Sequence, residues 1–369
     1  MRLIYAIRHV GMTGGVKVFF QHVELLRGLG HQVFLFTRFV DKEWAYRVKP
    51  EIVASFDDSL PEADAIVVTT PKDVEELWKV AHKRSIPLFH FLQGFEPDYV
   101  LERITGQVVP ERFRGRDLLT RLKYRNKIGE WKKKLKRFDR LYELPTVKMA
   151  IAPHLVRGVE QRYKVPCYLL PNGIDPAVFY QKEKELDYTS TLKILSIGNY
   201  GIEYKAIPDI MEAVRILKEQ GRDVSLTRVS PADIPEVERN SGIVDRFFVR
   251  ISEVQMADLY RESHILISAS TEIEGFGLPP MEAMSAGTPV ILTNISPFLA
   301  FDDLHNYAYF VNVHNPEEIA RGILEIAQNN ALRESTIKRG LEVSGKYHLK
   351  KMGKRLEEIL KEHVRGDRK

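Results

Sequence analysis

Apolar residues along the chain fall into short runs rich in β-branched and aromatic side chains, separated by helix-length stretches. Runs at Leu3–Ile7, Gln32–Thr37, Ala65–Thr69, Pro87–Leu92 and Lys148–Ala152 predict a first series of strands. A second series is predicted at Lys193–Gly198, Val224–Ser230, Arg246–Arg250, Ile265–Ala269, Pro289–Thr293 and Tyr307–Asn312, with helices such as Ile207–Gln220 and Pro316–Gln328 between strands. Strands alternating with helices imply right-handed crossovers and parallel sheets covered on both faces. Two such series predict two doubly wound α/β domains, and a length of 369 residues exceeds what one core usually fills. The switch falls near PNGID, Pro171 to Asp175, so the domains are expected at 1–170 and 171–346. The segment 347–369 places Leu349, Met352, Leu356, Ile359 and Leu360 on one helical face, and this helix is expected to return to the first domain.

Composition adds exclusions. At 44% hydrophobic and 28% charged residues the chain is an ordinary globular one, neither low-complexity nor disordered. Cys167 is the lone cysteine, which rules out an internal disulfide and a cysteine-built metal site within one chain. The opening apolar stretch Leu3–Ile7 is closed by Arg8 and His9, too short for a signal-peptide core, and no segment approaches a membrane span. A cytoplasmic chain is expected. The net charge of +5 hides a concentration: residues 101–140 hold 14 Lys and Arg against 5 Asp and Glu. That segment interleaves its cations with Phe113, Leu118, Leu119, Leu122, Tyr124, Ile128, Trp131 and Leu135. A solvated helical face and an amphipathic surface lying on anionic lipid both fit, the second contributing about 1 kcal/mol per cation near the bilayer. No nucleic-acid recognition motif accompanies the charge, so no nucleic-acid partner is expected.

In doubly wound domains ligands belong at the carboxyl ends of the strands, and three loops there carry candidate chemistry. In the first, Gly14 and Gly15 precede an amphipathic helix; paired glycines permit close backbone approach and the helix start offers amides to phosphate. A plain tight turn is the alternative, and the GxGxxG dinucleotide fingerprint is absent. The second loop, GNYGIEYKA, carries Lys205, which can neutralise a diphosphate or simply face solvent. The third, ISASTEIEGFGLPPMEAMSAGTPV, places Gly275 and Gly277 around Phe276 and starts a helix at about Pro279. Glu274 lies at the turn and Glu282 in the first helical turns, suited to two parts of an extended ligand; Glu282 also suits the helix dipole.

The stretch EGFGLPPMEAMSAGTPV resembles the signature of the retaining glycosyltransferases of family 4, with supporting similarity in GGVKVFFQHVELLRGLGHQV, PNGID followed by Phe179, and NPEEIARGI. The resemblance implies a GT-B fold, two Rossmann-like domains facing across a cleft, with the second holding a nucleotide-sugar donor. It implies that Glu274 contacts the donor sugar, Glu282 the ribose, and the amides around Phe276, Gly277 and Leu278 the sugar and phosphate region. Gly15 would approach the diphosphate and Lys205 neutralise it. Where the family usually has an arginine, this chain has Asn199, so half of a cationic clamp is missing; Arg228 at the next strand's end is a candidate substitute. The segment HFLQGFEPDYV is similar to that of members acting on bacterial surface polysaccharides. It offers Gln93 at the loop start as the group facing the sugar, with His90, inside the strand, as either a second catalytic candidate or a core histidine; Glu96 would orient the loop or acceptor.

The implied reaction is retaining transfer of a hexose-like sugar to an acceptor hydroxyl, on a glycan or lipid-linked acceptor, in polysaccharide or glycolipid synthesis. The chain has no Asp-x-Asp and no ligand-spaced histidines, so neither metal nor cofactor is expected, the nucleotide-sugar being a co-substrate. Through residues 101–140 the protein is expected at the inner face of the membrane as a peripheral protein. Alternatives are a GT-B sugar-nucleotide epimerase, an NAD-dependent oxidoreductase and a non-catalytic sugar-binding protein.

Overall fold

A computed structural model describes residues 1–11, 13–41, 48–57, 59–107, 109, 113, 118–182 and 186–366. The chain forms two compact units. One comprises Met1–Gly11, Phe19–Leu170 and Leu356–Lys369; the other comprises Met12–Val18 and Pro171–Arg355.

The first unit is built on β1 (Arg2–Val10), β2 (Gln32–Val40), β3 (Glu51–Ile52), β4 (Ala65–Val68), β5 (Leu88–Leu92), β6 (Val147–Ala150) and β7 (Cys167–Leu169). Among the described residues these make one parallel sheet in the order β3-β2-β1-β4-β5-β6-β7. The central strands are buried along their length, AIVV in β4 and LFHFL in β5, as parallel strands covered on both faces must be. The helices are α1 (Gly14–Gly28), which belongs to this unit from Phe19 onward, α2 (Pro71–Lys83), α3 (Glu96–Thr105), α4 (Leu118–Glu143) and α5 (Pro153–Tyr163). Helix α2 starts where it does because Thr70, extended, accepts the Asp73 N–H on its hydroxyl and Pro71 supplies a preset φ. One core packs Ile4, Ala6, Ile66 and Val68 of the sheet against Val74, Leu77 and Ala81 of α2. The edge strands β3 and β7 were not expected; at two and three residues they carry no period.

The basic segment becomes mostly helix. Over its 26 residues α4 buries Trp131, Phe138, Leu141 and Tyr142 while Leu119, Leu122 and most of its cations face solvent. Residues 110–112 and 114–117 of that segment lie outside the described residues.

The second unit holds β8 (Leu192–Ile197), β9 (Val224–Ser230), β10 (Arg246–Val249), β11 (Ile265–Ser268), β12 (Val290–Thr293) and β13 (Tyr309–Val311). They form a parallel sheet in the order β10-β9-β8-β11-β12-β13. Around it lie α6 (Ile207–Glu219), α7 (Glu236–Arg239), α8 (Glu253–Glu262), α9 (Leu278–Ser285), α10 (Ser296–Leu299), α11 (Pro316–Gln328) and α12 (Asn330–Ser344). Two parallel α/β sheets with this connectivity are the expected architecture. The last helix, α13 (Leu349–Gly366), buries Met352, Leu356, Ile359 and Leu360. From Leu356 onward it belongs to the first unit, where Glu357 meets His31 at 2.7 Å and Glu362 accepts the Tyr168 hydroxyl at 2.7 Å. No described helix is long and apolar enough to cross a membrane.

Candidate active site

Because β8 and β11 are neighbours in the second sheet, the loops that follow them meet although 69 residues separate their key side chains. The Thr271 N–H donates to the Tyr204 carbonyl at 2.9 Å, which ties one loop to the other. Lys205 Nζ then reaches Glu274 Oε2 at 2.5 Å, and Ser270 Oγ donates to the same oxygen at 2.8 Å. Burial opposes charge on both partners, but their attraction prevails: the Glu274 carboxyl is held below its ordinary range and the Lys205 ammonium above its own. The pair is therefore ionised at neutral pH, with the lysine side chain partly open to solvent.

Gly277 takes φ +91°, and a Cβ there would come within 2.5 Å of Phe298 Cε1, so only glycine fits the turn into α9. Beside it Phe276 is buried against Phe301 and Tyr347, ring centroids at 5.5 and 5.6 Å. Pro279 and Pro280 follow Leu278 and lack N–H groups that an early helical turn would leave orphaned.

Asn199 turns inward on its own loop, its Oδ1 accepting the Gly201 N–H at 2.9 Å. Arg228 requires a correction. It is fully buried in β9, where Nε donates to Glu238 Oε1 at 2.8 Å, Nη1 to the Ser196 carbonyl and hydroxyl, and Nη2 to the Gly198 carbonyl at 2.7 Å. A guanidinium committed in this way does not serve as the missing cation. It braces the end of β8 from which the Lys205 loop departs.

Glu282 lies in α9, also buried. Its Oε1 accepts from Lys17 Nζ at 2.8 Å and its Oε2 from the Tyr260 hydroxyl at 2.8 Å. Lys17 also meets Glu253 Oε1 at 2.6 Å and stands 4.9 Å from the Phe179 ring centroid. Burial disfavours the Lys17 charge, but the two carboxylates outweigh it and raise its pKa. Near Lys17, Gly14 lies against the third loop: a Cβ on Gly14 would lie 3.3 Å from Leu278 Cδ1. Neither Lys17 nor Tyr260 was expected from sequence, where a lysine two residues past a glycine pair and a tyrosine on an amphipathic helix look like ordinary surface and core positions.

In the first unit Gln93 opens the loop after β5 and donates from Nε2 to Thr69 Oγ1 at 2.9 Å. His90 is fully buried within β5, 5.3 Å from the Tyr142 ring, and neither ring nitrogen has a partner among the described residues. Burial, then the charge of Lys148, pushes its pKa down to about 3, so it is a neutral core histidine and not a group presented to a ligand. Glu96, at the start of α3, accepts the Tyr142 hydroxyl at 2.6 Å, and burial raises its carboxyl.

Two parallel doubly wound α/β sheets of this kind are those of the GT-B fold. Residues 191–329, which lie within the second unit, match the family described as Glycosyl transferases group 1. The phosphatidyl-myo-inositol mannosyltransferase of Mycobacterium tuberculosis is 25% identical over 179 residues, covering 46% of this chain and 47% of that protein. The chain thus aligns with about half the length of that relative. Sucrose-phosphate synthase from Thermosynechococcus elongatus superposes with a TM-score of 0.75 at 16% identity, covering 98% of this chain and 99% of that one. Anabaena HepE, solved in complex with UDP-glucose, superposes with a TM-score of 0.73 at 12% identity, over 98% of this chain and 100% of that one.

Proposed function

We propose that the protein is a retaining, metal-independent glycosyltransferase that moves a sugar from a nucleoside diphosphate sugar to an acceptor hydroxyl. The observation that carries this reading is the Lys205–Glu274 ion pair, formed between two strand-end loops of a group 1 glycosyl transferase domain. HepE was solved with UDP-glucose, and the mycobacterial relative is named for a phosphatidyl-inositol, which supports a nucleotide-sugar donor and a lipid-linked or glycan acceptor.

In this reading residues 171–346 hold the donor and 1–170, with the returning 347–369 helix, serve the acceptor. As the anomeric C–O bond breaks, its electron pair passes to the diphosphate. The Lys205 ammonium and the amides of Phe276, Gly277 and Leu278 stabilise that charge, and Gly14 and Gly15 let backbone approach it; preorganised electrostatics of this kind is commonly the largest catalytic contribution. The ionised Glu274 accepts the sugar hydroxyls and favours positive charge on the ring. Glu282 accepts the ribose hydroxyls, and Gln93 faces the sugar. The acceptor's proton goes to the departing phosphate oxygen on the face from which the new bond forms, which gives retention.

A thermal-shift and hydrolysis screen over UDP-, GDP-, ADP- and dTDP-sugars identifies the donor, and anomeric proton couplings of the product report retention. Glu274→Ala with that donor should abolish transfer; near-wild-type turnover, or turnover that chelator removes, would overturn the assignment. The exposed leucines and cations of α4 support docking on an anionic bilayer at the inner membrane face. Sedimentation with anionic but not neutral liposomes is expected, and equal pelleting with both refutes it.

A further inference from the structure

Glu282 is held more firmly than a ligand-binding carboxylate needs to be. Each of its two oxygens carries one fixed donor, the Lys17 ammonium on Oε1 and the Tyr260 phenol on Oε2, both at 2.8 Å. An ionised carboxylate offers about four acceptor positions, so about one remains on each oxygen.

The two donors are themselves held by further contacts. Tyr260 is fully buried on α8, 6.0 Å from the Phe179 ring, and its carbonyl accepts the Thr288 hydroxyl at 2.7 Å. Burial, then the neighbouring Glu282 charge, keeps its phenol protonated and therefore a donor. Lys17 is fixed between Glu282 and Glu253, and Glu253 opens α8 behind a complete capping box formed by Ser252 and Gln255. Two carboxylates against one ammonium leave the trio with a net negative charge, so Glu282 keeps its capacity to accept.

We propose that Lys17 and Tyr260 are positioning residues that make the donor site select a ribonucleotide over its 2′-deoxy counterpart, by fixing Glu282 so that its remaining acceptor position on each oxygen takes one hydroxyl of a vicinal diol. The inference rests on Glu282 reading the ribose, as proposed above, and adds what gives that reading its selectivity. A carboxylate free to rotate loses little when one hydroxyl is missing, because it turns to water or to the other hydroxyl. A buried carboxylate pinned on both oxygens is left with an unfilled acceptor, and sites built to hydrogen-bond a hydroxyl discriminate strongly against analogues that lack it.

The test is calorimetric titration of the full chain with UDP, GDP and ADP and with the 2′-deoxy form of each. The wild type is expected to bind at least one ribonucleotide about tenfold or more tighter than its deoxy form, about 1.4 kcal/mol. Lys17→Met and Tyr260→Phe should each bring that ratio to within about threefold, chiefly by weakening the ribonucleotide, with Lys17→Arg keeping the preference. Tyr260→Phe removes one hydroxyl at nearly constant volume, so it carries the test even if Lys17→Met lowers stability. A merely structural role would lower the melting temperature and leave the ratio alone. A ratio unchanged in both variants, or a wild type that does not discriminate, overturns the proposal while the donor reading stands. A wild type that binds none of the three ribonucleotides overturns this proposal, and one that binds no dTDP either overturns the donor reading with it.

Discussion

Arg228→Met is the most direct test of how the second unit is held together beneath its candidate site. Arg228 and Glu238 both have wholly buried side chains and meet at 2.8 Å, and the guanidinium also donates to Ser196 and Gly198. Methionine fills comparable space but leaves the Glu238 carboxylate without a counter-charge and removes a donor from two buried carbonyls. Breaking such a pair on one side costs about 3–5 kcal/mol. At about 2–4 °C per kcal/mol for a domain of about 150–250 residues, the melting temperature should fall by about 6–20 °C. Differential scanning calorimetry reads this, with Arg228→Met/Glu238→Leu as the second arm. Removing both charges should recover most of the loss, since apolar replacement of a buried pair is often neutral. A single variant that melts within about 2 °C of wild type would refute the reasoning, because an inward-committed guanidinium cannot be that dispensable. A double variant as unstable as the single one would move the cause from the uncompensated charge to the unheld Gly198 carbonyl.

Burial holds His22 and His90 at about 3, with Lys148 adding to the effect on His90. Unfolded histidine binds a proton below about 6.5 and these do not, so their contribution is whole above that pH and lost as pH falls toward 3. At pH 5 the loss is about 2 kcal/mol per histidine; urea midpoints at pH 7.5 and 5 should converge in His22→Phe/His90→Phe, and an unchanged difference would count against the account. Gly277→Ala should destabilise the second unit by about 1–3 kcal/mol from backbone strain alone, with the Phe298 clash adding to it. Gly242→Ala, at φ +70° but with nothing near its Cβ, is the control for strain without a clash, and equal melting of the two variants would remove the Phe298 contact from the argument. Lys205→Met should lower kcat about 10²–10³-fold and also lower the melting temperature, because it leaves the buried Glu274 carboxylate without its counter-charge; measured well below that melting transition, a loss under tenfold in single-turnover transfer would argue against a role at the leaving diphosphate.

The second sheet was legible almost strand by strand, because β8 to β13 are short runs rich in β-branched and aromatic residues separated by loops and helix-length stretches. The edge strands β3 and β7 were not, since pairing with a neighbour, and not a local pattern, makes them strands. Within the candidate site, the glycines around Phe276 and the placement of Glu274 at a turn were readable from local rules. The partner of Glu274 was not: that Lys205 lies within 2.5 Å follows from β8 and β11 being adjacent, a fact of sheet order. Arg228 shows the converse error. At a strand's end it looked like a cation aimed at a ligand, but β9 is buried along nearly its whole length and has no solvent face to which an arginine could turn. Lys17 escaped notice because a helical lysine is by default a surface residue, and only the tertiary arrangement gives it two carboxylates.

The backbone carries the same division. Positive φ at Ser85 and Lys164 falls just past the ends of α2 and α5, where left-handed caps are routine. Ala206 at φ 45° and Arg250 at φ 52° are different, since each stands between a strand's carboxyl end and the next helix, a placement shared by Gly277. A non-glycine residue in that region costs about 1 kcal/mol or more and persists only where the surroundings over-determine it. Ala206 is over-determined by its surroundings: it is buried, its N–H donates to the Glu203 carbonyl at 3.1 Å, and it joins the turn carrying Lys205 to α6. A single strained residue thus fixes the direction in which Lys205 leaves the backbone, while Arg228 holds the other end of the loop through the Gly198 carbonyl. The ammonium that meets Glu274 is aimed from both ends of its loop, the kind of preorganisation that the proposed role at a diphosphate would use.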